Sequence, residues 1–327
     1  MTTTPATTTT ATATATSAAR TIRYRPAGGV EFVDVELGPP APGEVQIQGL
    51  ACGICALDIH VYRHGAPGGC IPGHEGVARV VAAGPGVERF TPGQRVVGRG
   101  LGFATHANVH ASQLLHVPED SPLPDEQWLV EPVSCVVTGL DHCRLKAGDR
   151  VAVVGCGFMG LLLVQGLARS MAEQLVAIDL DDDRLALAQR FGAHETFNPR
   201  HNGFPENDLR SRGFDVVVDT TGSQQGLDLA SKLVRKGGLL NLFGWNHGRA
   251  EFPGDLWHMG GITVVNSAPN AQLRDPFPPA IRLIHRGLFD LAPLVTHVVE
   301  LDDYPELLAT AAAREDGYIK GVVRLQR

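Results

Sequence analysis

The chain has 327 residues, a hydrophobic share of 43% and a formal net charge of −7. That length calls for roughly two domains, because single cores rarely grow beyond about 250–300 residues. The charge leaves no basic footprint for nucleic acid, and the lack of any apolar run of about 18 residues leaves no membrane span. That balance argues for a small-molecule partner.

The N-terminus, MTTTPATTTTATATATSAA, has no charge before Arg20 and no apolar h-region, so it reads as neither a secretory signal nor an arginine-bearing transit peptide. Its Thr/Ala repetition cannot build a core, and a disordered tail over residues 1–18 is expected. Six cysteines are sparse for the length. With no secretory signal, a reduced, cytoplasmic setting follows.

Residues 19–132 read as short strands broken by Gly and Pro: EVQIQGLACG, GVARVVAAG and QRVVGRG, with PPAPGE and GPGVERFTPG as turns. A helix is predicted from Leu129 to Cys143. Over 133–269 apolar strands alternate with helices, including a helix over SQQGLDLASKLVRKGG, which predicts a parallel sheet covered on both faces. Residues 270–327 hold two helices and two short strands, expected to return and complete the first domain.

Within ACGICALDIHVYRHG, Cys52 and Cys55 form a C-x-x-C pair. Three readings are open: half of a closed zinc knuckle completed by Cys70 and His74, a redox dithiol, or a site where one cysteine serves catalysis. Most of the 13 histidines need no function; His106, His110 and His116 suit one face of a strand or loop as well as a metal cluster.

VAVVGCGFMG places Gly155, Gly157 and Gly160 between an apolar strand and an apolar helix, the G-x-G-x-x-G arrangement that seats a pyrophosphate on a helix N-terminus. Asp179 ends the next strand nineteen residues beyond Gly160, where a carboxylate accepts from ribose hydroxyls and repels a 2′-phosphate, favouring NAD over NADP. Phe158, Met159 and Thr220 join the cofactor-binding candidates. Arg184 reads as either a phosphate clamp or a solvated helix residue.

The runs GICALDIH, GHEGVARVVAAGPGV, VEPVSC, VGCGFMG and VAID, with the closing GYIKGVV, resemble the medium-chain dehydrogenase/reductase superfamily in its zinc-dependent alcohol and polyol dehydrogenase branch, of the sorbitol and threonine dehydrogenase type. The likeness spans nearly everything from residue 20 onward. It implies an α/β protein with a GroES-like β-rich catalytic domain and a Rossmann domain. It also implies a zinc ion ligated by Cys55, His74 and Glu131, with Glu75 behind the metal or alternating as ligand. Asp58 would orient the histidine ligand, His60 would pass a proton to solvent, and Cys135 would lie beside the nicotinamide. A Cys/His/Glu set leaves tetrahedral zinc an open position for an alcohol oxygen.

Residues 97–116 contain none of the four cysteines of the family's structural zinc lobe, so one catalytic zinc and no structural zinc is expected. Cys55 and His74 are only nineteen apart. Leu57 replaces the usual Ser or Thr that begins the proton relay. The resulting expectation is NAD-linked oxidation of a secondary alcohol (a polyol, cyclitol or amino-sugar-like substrate) by a homodimer or homotetramer, with GGITVVNSA a candidate pairing edge and Trp245, Trp257 and Asn266 candidates for the pocket. The rivals are a zinc-free, NADPH-linked enone or quinone reductase and a non-catalytic protein that binds NAD and zinc.

Overall fold

The computed structural model describes residues 17–65, 72–246, 248–314 and 317–326. Residues 1–16 of the expected tail, Cys70 and His247 lie outside the described residues. The tail expectation overreaches by two residues, because the first strand starts at Ser17.

That strand, β1 (Ser17–Tyr24), pairs with β2 (Val30–Leu37) as an antiparallel hairpin. The β-rich lobe then runs β3 (Glu44–Gly53), α1 (Ala56–His64), β4 (Glu75–Ala83), β5 (Arg95–Gly98), β6 (His106–His110) and β7 (Leu114–His116). Helix α2 (Val130–Cys143) leads into β8 (Arg150–Val154), α3 (Phe158–Leu167), β9 (Gln174–Ile178), α4 (Asp182–Arg190), β10 (Glu195–Phe197) and α5 (Glu206–Arg212). Next come β11 (Phe214–Asp219), α6 (Gln224–Leu233), β12 (Val234–Leu242), α7 (Gly254–Gly260) and β13 (Thr263–Asn266). The chain closes with α8 (Phe277–His285), β14 (Val295–Glu300), α9 (Tyr304–Ala313) and β15 (Lys320–Arg324).

Six strands form a wholly parallel sheet in the order β10-β9-β8-β11-β12-β13. This is the doubly wound arrangement whose ligand crevice opens at the carboxyl ends of β8 and β11, where the strand order reverses. Helix α3 is apolar on nearly every side, with Leu161, Leu162, Leu163 and Val164 fully buried, and its one polar side chain, Gln165, is bonded to the Asp290 backbone. Helix α6 stops five residues short of the sequence expectation. Val234 is captured by parallel pairing with Phe214, so VRKGG belongs to β12.

The other sheet runs β14-β15-β3-β4-β5-β7, with β6 also on β3. Thus β14 and β15, from the far end of the chain, join the β-rich lobe. One core spans both lobes, carrying Leu50 and Val77 from the β-rich side and Val153 and Leu161 from the parallel sheet. Among the described residues no helix is long and apolar enough to cross a membrane.

Candidate active site

Strand β3 delivers Cys55 to the head of α1, where it caps the helix. Its Sγ accepts the Leu57 N–H at 3.2 Å, and Asp58 reaches back to the Cys55 N–H at 2.8 Å, a capping box with a thiol in the hydroxyl's place. Antiparallel pairing sets Gly53 opposite Glu75, so the start of β4 brings His74 and Glu75 to the same edge. Ligand atoms of Cys55, His74 and Glu75 all lie within 4.8 Å of one another. Helix α2 approaches from the other side with Glu131 in its first turn, its Oε2 4.0 Å from His74 Nε2. Cys135, one turn on, donates to Glu131 Oε1 at 3.4 Å, so its thiol sits beside this carboxylate.

The electrostatics of the site are anionic. Burial, then the Asp58 and Glu75 charges, raise the Cys55 thiol well above its ordinary value. Burial, then Glu75, push the Glu131 carboxyl up to about 6. A thiol, an imidazole and carboxylates converging in a crowded anionic site are a donor set for a divalent cation, zinc first. The counter-charge is Lys320 of β15. Its Nζ lies 2.5 Å from Glu75 Oε2 and donates to the Ile54 carbonyl at 2.6 Å. Burial opposes that ammonium, yet the adjoining Glu75 prevails and raises it above the usual lysine value.

Sequence reasoning missed Lys320. The available signal was a lysine inside the apolar closing strand, where a charge needs a buried partner.

Cys52 plays no part in the cluster among the described residues. It is fully buried in β3, its Sγ directed to the Gly53 and Leu101 carbonyls at 3.7 Å, so the closed knuckle has lost a corner. Asp58 does not hold the His74 ring as expected. Its carboxylate takes the Cys55 and Gly73 N–H groups and the Tyr24 hydroxyl instead, fixing the backbone on either side of the ligand loop. The Leu57 side chain packs into the smaller core around Val61 and Tyr304. His60 stands with its ring 4.5 Å from that of His64 and 5.9 Å from that of Trp245 on the opposite lobe.

In the glycine turn, Gly155 has φ +96°, and a Cβ at Gly160 would stand 2.0 Å from the Gly155 carbonyl oxygen. Both positions therefore exclude a side chain. A Cβ at Gly157 would meet nothing within 4 Å, so the turn leaves an open cradle there. Gly157 caps α3 without a side-chain bond, which leaves the first helical N–H groups for a phosphate. The residues present therefore fit a dinucleotide. Thr220 Oγ1 donates to the Val154 and Gly155 carbonyls at 3.1 and 2.8 Å and braces the turn from β11. Asp179 accepts the Cys156 N–H at 2.5 Å.

Three cofactor candidates act differently from a direct clamp. Met159, partly buried, packs against the main core. Phe158 lays its ring 4.6 Å from Lys320 Nζ. Arg184 does not float in solvent; it pairs with Asp181 at 3.5 Å and donates to the Tyr318 carbonyl at 2.9 Å, tying α4 to the approach to β15.

Two family models match the chain: an alcohol dehydrogenase GroES-like domain over residues 41–119 and a zinc-binding dehydrogenase over residues 159–286. D-arabinitol dehydrogenase 1 of Uromyces fabae is 30% identical over 312 residues, covering 83% of this chain and 88% of that protein. The crystal structure of 2R,3R-butanediol dehydrogenase from Bacillus subtilis has a TM-score of 0.83 at 27% identity, covering 94% of this chain and 99% of that one. A zinc-binding dehydrogenase from Sinorhizobium meliloti 1021, solved with NADP, shares the fold at a TM-score of 0.82 and 23% identity, with 94% and 99% covered. On the family models, the D-arabinitol dehydrogenase relative and the shared two-lobed fold, the chain belongs to the zinc-dependent alcohol and polyol dehydrogenases of the medium-chain dehydrogenase/reductase superfamily.

Proposed function

We propose that the chain transfers a hydride between NAD and the secondary carbinol carbon of a small polyol, using one zinc ion held by Cys55, His74 and Glu131. The observation that carries this reading is Lys320. Its ammonium touches Glu75 on one side and the ring of Phe158, first residue of α3, on the other, so ligand cluster and glycine turn stand two contacts apart. Bound there, zinc supplies Lewis-acid polarisation of the substrate oxygen and NAD the hydride acceptor. Lys320 keeps Glu75 in an ion pair, which leaves Glu131 to take the third ligand position. The α3 N-terminus binds the pyrophosphate, and Asp179 accepts from the adenosine ribose.

Related proteins named for D-arabinitol and 2R,3R-butanediol point to a secondary-alcohol substrate class. The absence of cysteine from residues 97–116 supports a single zinc. The outer side of β13 is the edge proposed for pairing with a second copy. The test is NADH formation against a panel of polyols and cyclitols, on protein of measured zinc content. Zinc-replete protein that reduces NAD with none of them overturns the reading.

Leu57 has no hydroxyl, so the proton from the substrate reaches His60 through water. His60→Ala should therefore lower turnover by about 10²-fold at neutral pH, with the deficit shrinking above about pH 8 as hydroxide accepts the proton directly. Zinc content should stay unchanged, and a flat ratio of the two pH profiles would remove His60 from the relay. Asp179→Asn removes the charge that repels a 2′-phosphate while keeping an acceptor oxygen. The ratio of kcat/KM with NADP to that with NAD should rise about tenfold, equivalent to about 1.4 kcal/mol. An unmoved ratio would place cofactor choice elsewhere.

A further inference from the structure

Asp58 ends a buried hydrogen-bond chain to which the proposed reaction assigns no part. Its Oδ2 accepts the Cys55 N–H at 2.8 Å, while its Oδ1 accepts the Gly73 N–H at 3.2 Å and the Tyr24 hydroxyl at 3.0 Å. The Tyr24 and Tyr304 hydroxyl oxygens are 2.5 Å apart. Tyr24 has one proton and gives it to Asp58, so Tyr304 is the donor in the bond between the phenols. The chain thus runs from Tyr304 through Tyr24 to Asp58. It terminates on one ligand candidate, Cys55, and on the residue before another, His74.

Three distant segments meet here. Tyr24 is the last residue of β1, Asp58 lies in the first turn of α1, and Tyr304 opens α9. All three are buried, at 5%, 2% and 0% exposure. Burial first, then the Asp58 charge, lifts both phenols above the ordinary tyrosine range, so both remain protonated donors. The Phe103 ring, 4.6 Å from that of Tyr304, fixes the far end.

We infer that Tyr24 and Tyr304 are positioning residues for zinc: acting through Asp58, they clamp the backbone at Cys55 and Gly73 so that Sγ and the imidazole stay at ligating separation. The inference rests on the zinc reading above. The physical reason is lone-pair satisfaction. A buried carboxylate offers about four acceptor sites, and here donors occupy three of them. Without the Tyr24 hydroxyl only the two N–H bonds remain, and the carboxylate turns to relieve the loss at the expense of one of them. Loss of such outer support costs about 10–100-fold in metal affinity.

The experiment uses the full chain and measures zinc affinity by chelator competition for the parent, Tyr24→Phe, Tyr304→Phe, the double variant and Leu308→Ala. Tyr24→Phe should bind zinc about 10–100-fold more weakly. Tyr304→Phe should move the same way by less, since it acts one bond further out. The double variant should match Tyr24→Phe alone, because residues in one network do not add. Leu308 is buried in the same core without joining the chain, so Leu308→Ala should lose stability and keep parental zinc affinity. If Tyr24→Phe fails to fold, Tyr304→Phe decides. Variants that hold zinc within twofold of the parent overturn the clamp alone, as does a Leu308→Ala variant equally weakened. A parent that binds no zinc overturns the metal reading and the clamp together.

Discussion

A His74→Ala variant is expected to lose its zinc and at least about 10³-fold in NADH formation, the equivalent of about 4 kcal/mol of charge stabilisation. Cys55→Ala should behave alike, and Cys52→Ala should keep both metal and activity. The contrast follows from where the two thiols point. Cys55 Sγ shares a cluster within 4.8 Å with His74 and Glu75, whereas Cys52 Sγ faces the Gly53 and Leu101 carbonyls inside the core. Truncating Cys52 leaves a small cavity, for which about 1 kcal/mol of stability is expected, read as a shifted urea midpoint. Zinc content after gel filtration, measured beside activity, separates the cases. Metal lost from Cys52→Ala would restore the closed knuckle and with it a non-catalytic zinc, because a four-ligand site has no open position for substrate.

What was legible in the sequence was local. The glycine turn declares itself because a strand, three glycines and a helix fall within one short run; Gly155 and Gly160 answer a nearby steric demand, and Gly157 leaves the cradle open. The C-x-x-C pair was ambiguous for the converse reason: two residues separate the sulfurs along the chain, but the change from strand to helix cap sends them in different directions. The boundary of α6 went wrong at Val234, where helix propensity yields to pairing with β11. The parts of the site that escaped notice join the C-terminal end of the chain to its N-terminal end. Tyr304 meets Tyr24 from 280 positions away, and Lys320 meets the Ile54 carbonyl from 266 away. No spacing rule covers such pairs. Leu57 illustrates the opposite limit. The lack of a hydroxyl was plain from the letter alone, but only the fold shows the side chain packed, partly buried, against the smaller core.

Lys320→Met should destabilise the protein by about 3–5 kcal/mol, because it strands the Glu75 carboxylate in a site where it is 3% exposed. Urea unfolding reads this directly. The double variant Lys320→Met/Glu75→Leu should recover most of the loss, since a buried ion pair replaced by apolar side chains is often neutral or better. Recovery to within about 1 kcal/mol of the parent would mean the pair contributes little net stability, and its value then lies in keeping Glu75 from zinc. Glu131 variants address that second role. On the parent background Glu131→Ala should release zinc. On the Lys320→Met background the freed Glu75 lies in the Cys55–His74 cluster and can serve in its place, so the same Glu131→Ala change should lose much less metal. Equal zinc loss on both backgrounds would mean that Lys320 balances charge only, and that the choice between the two glutamates is made by the backbone positions of β4 and α2.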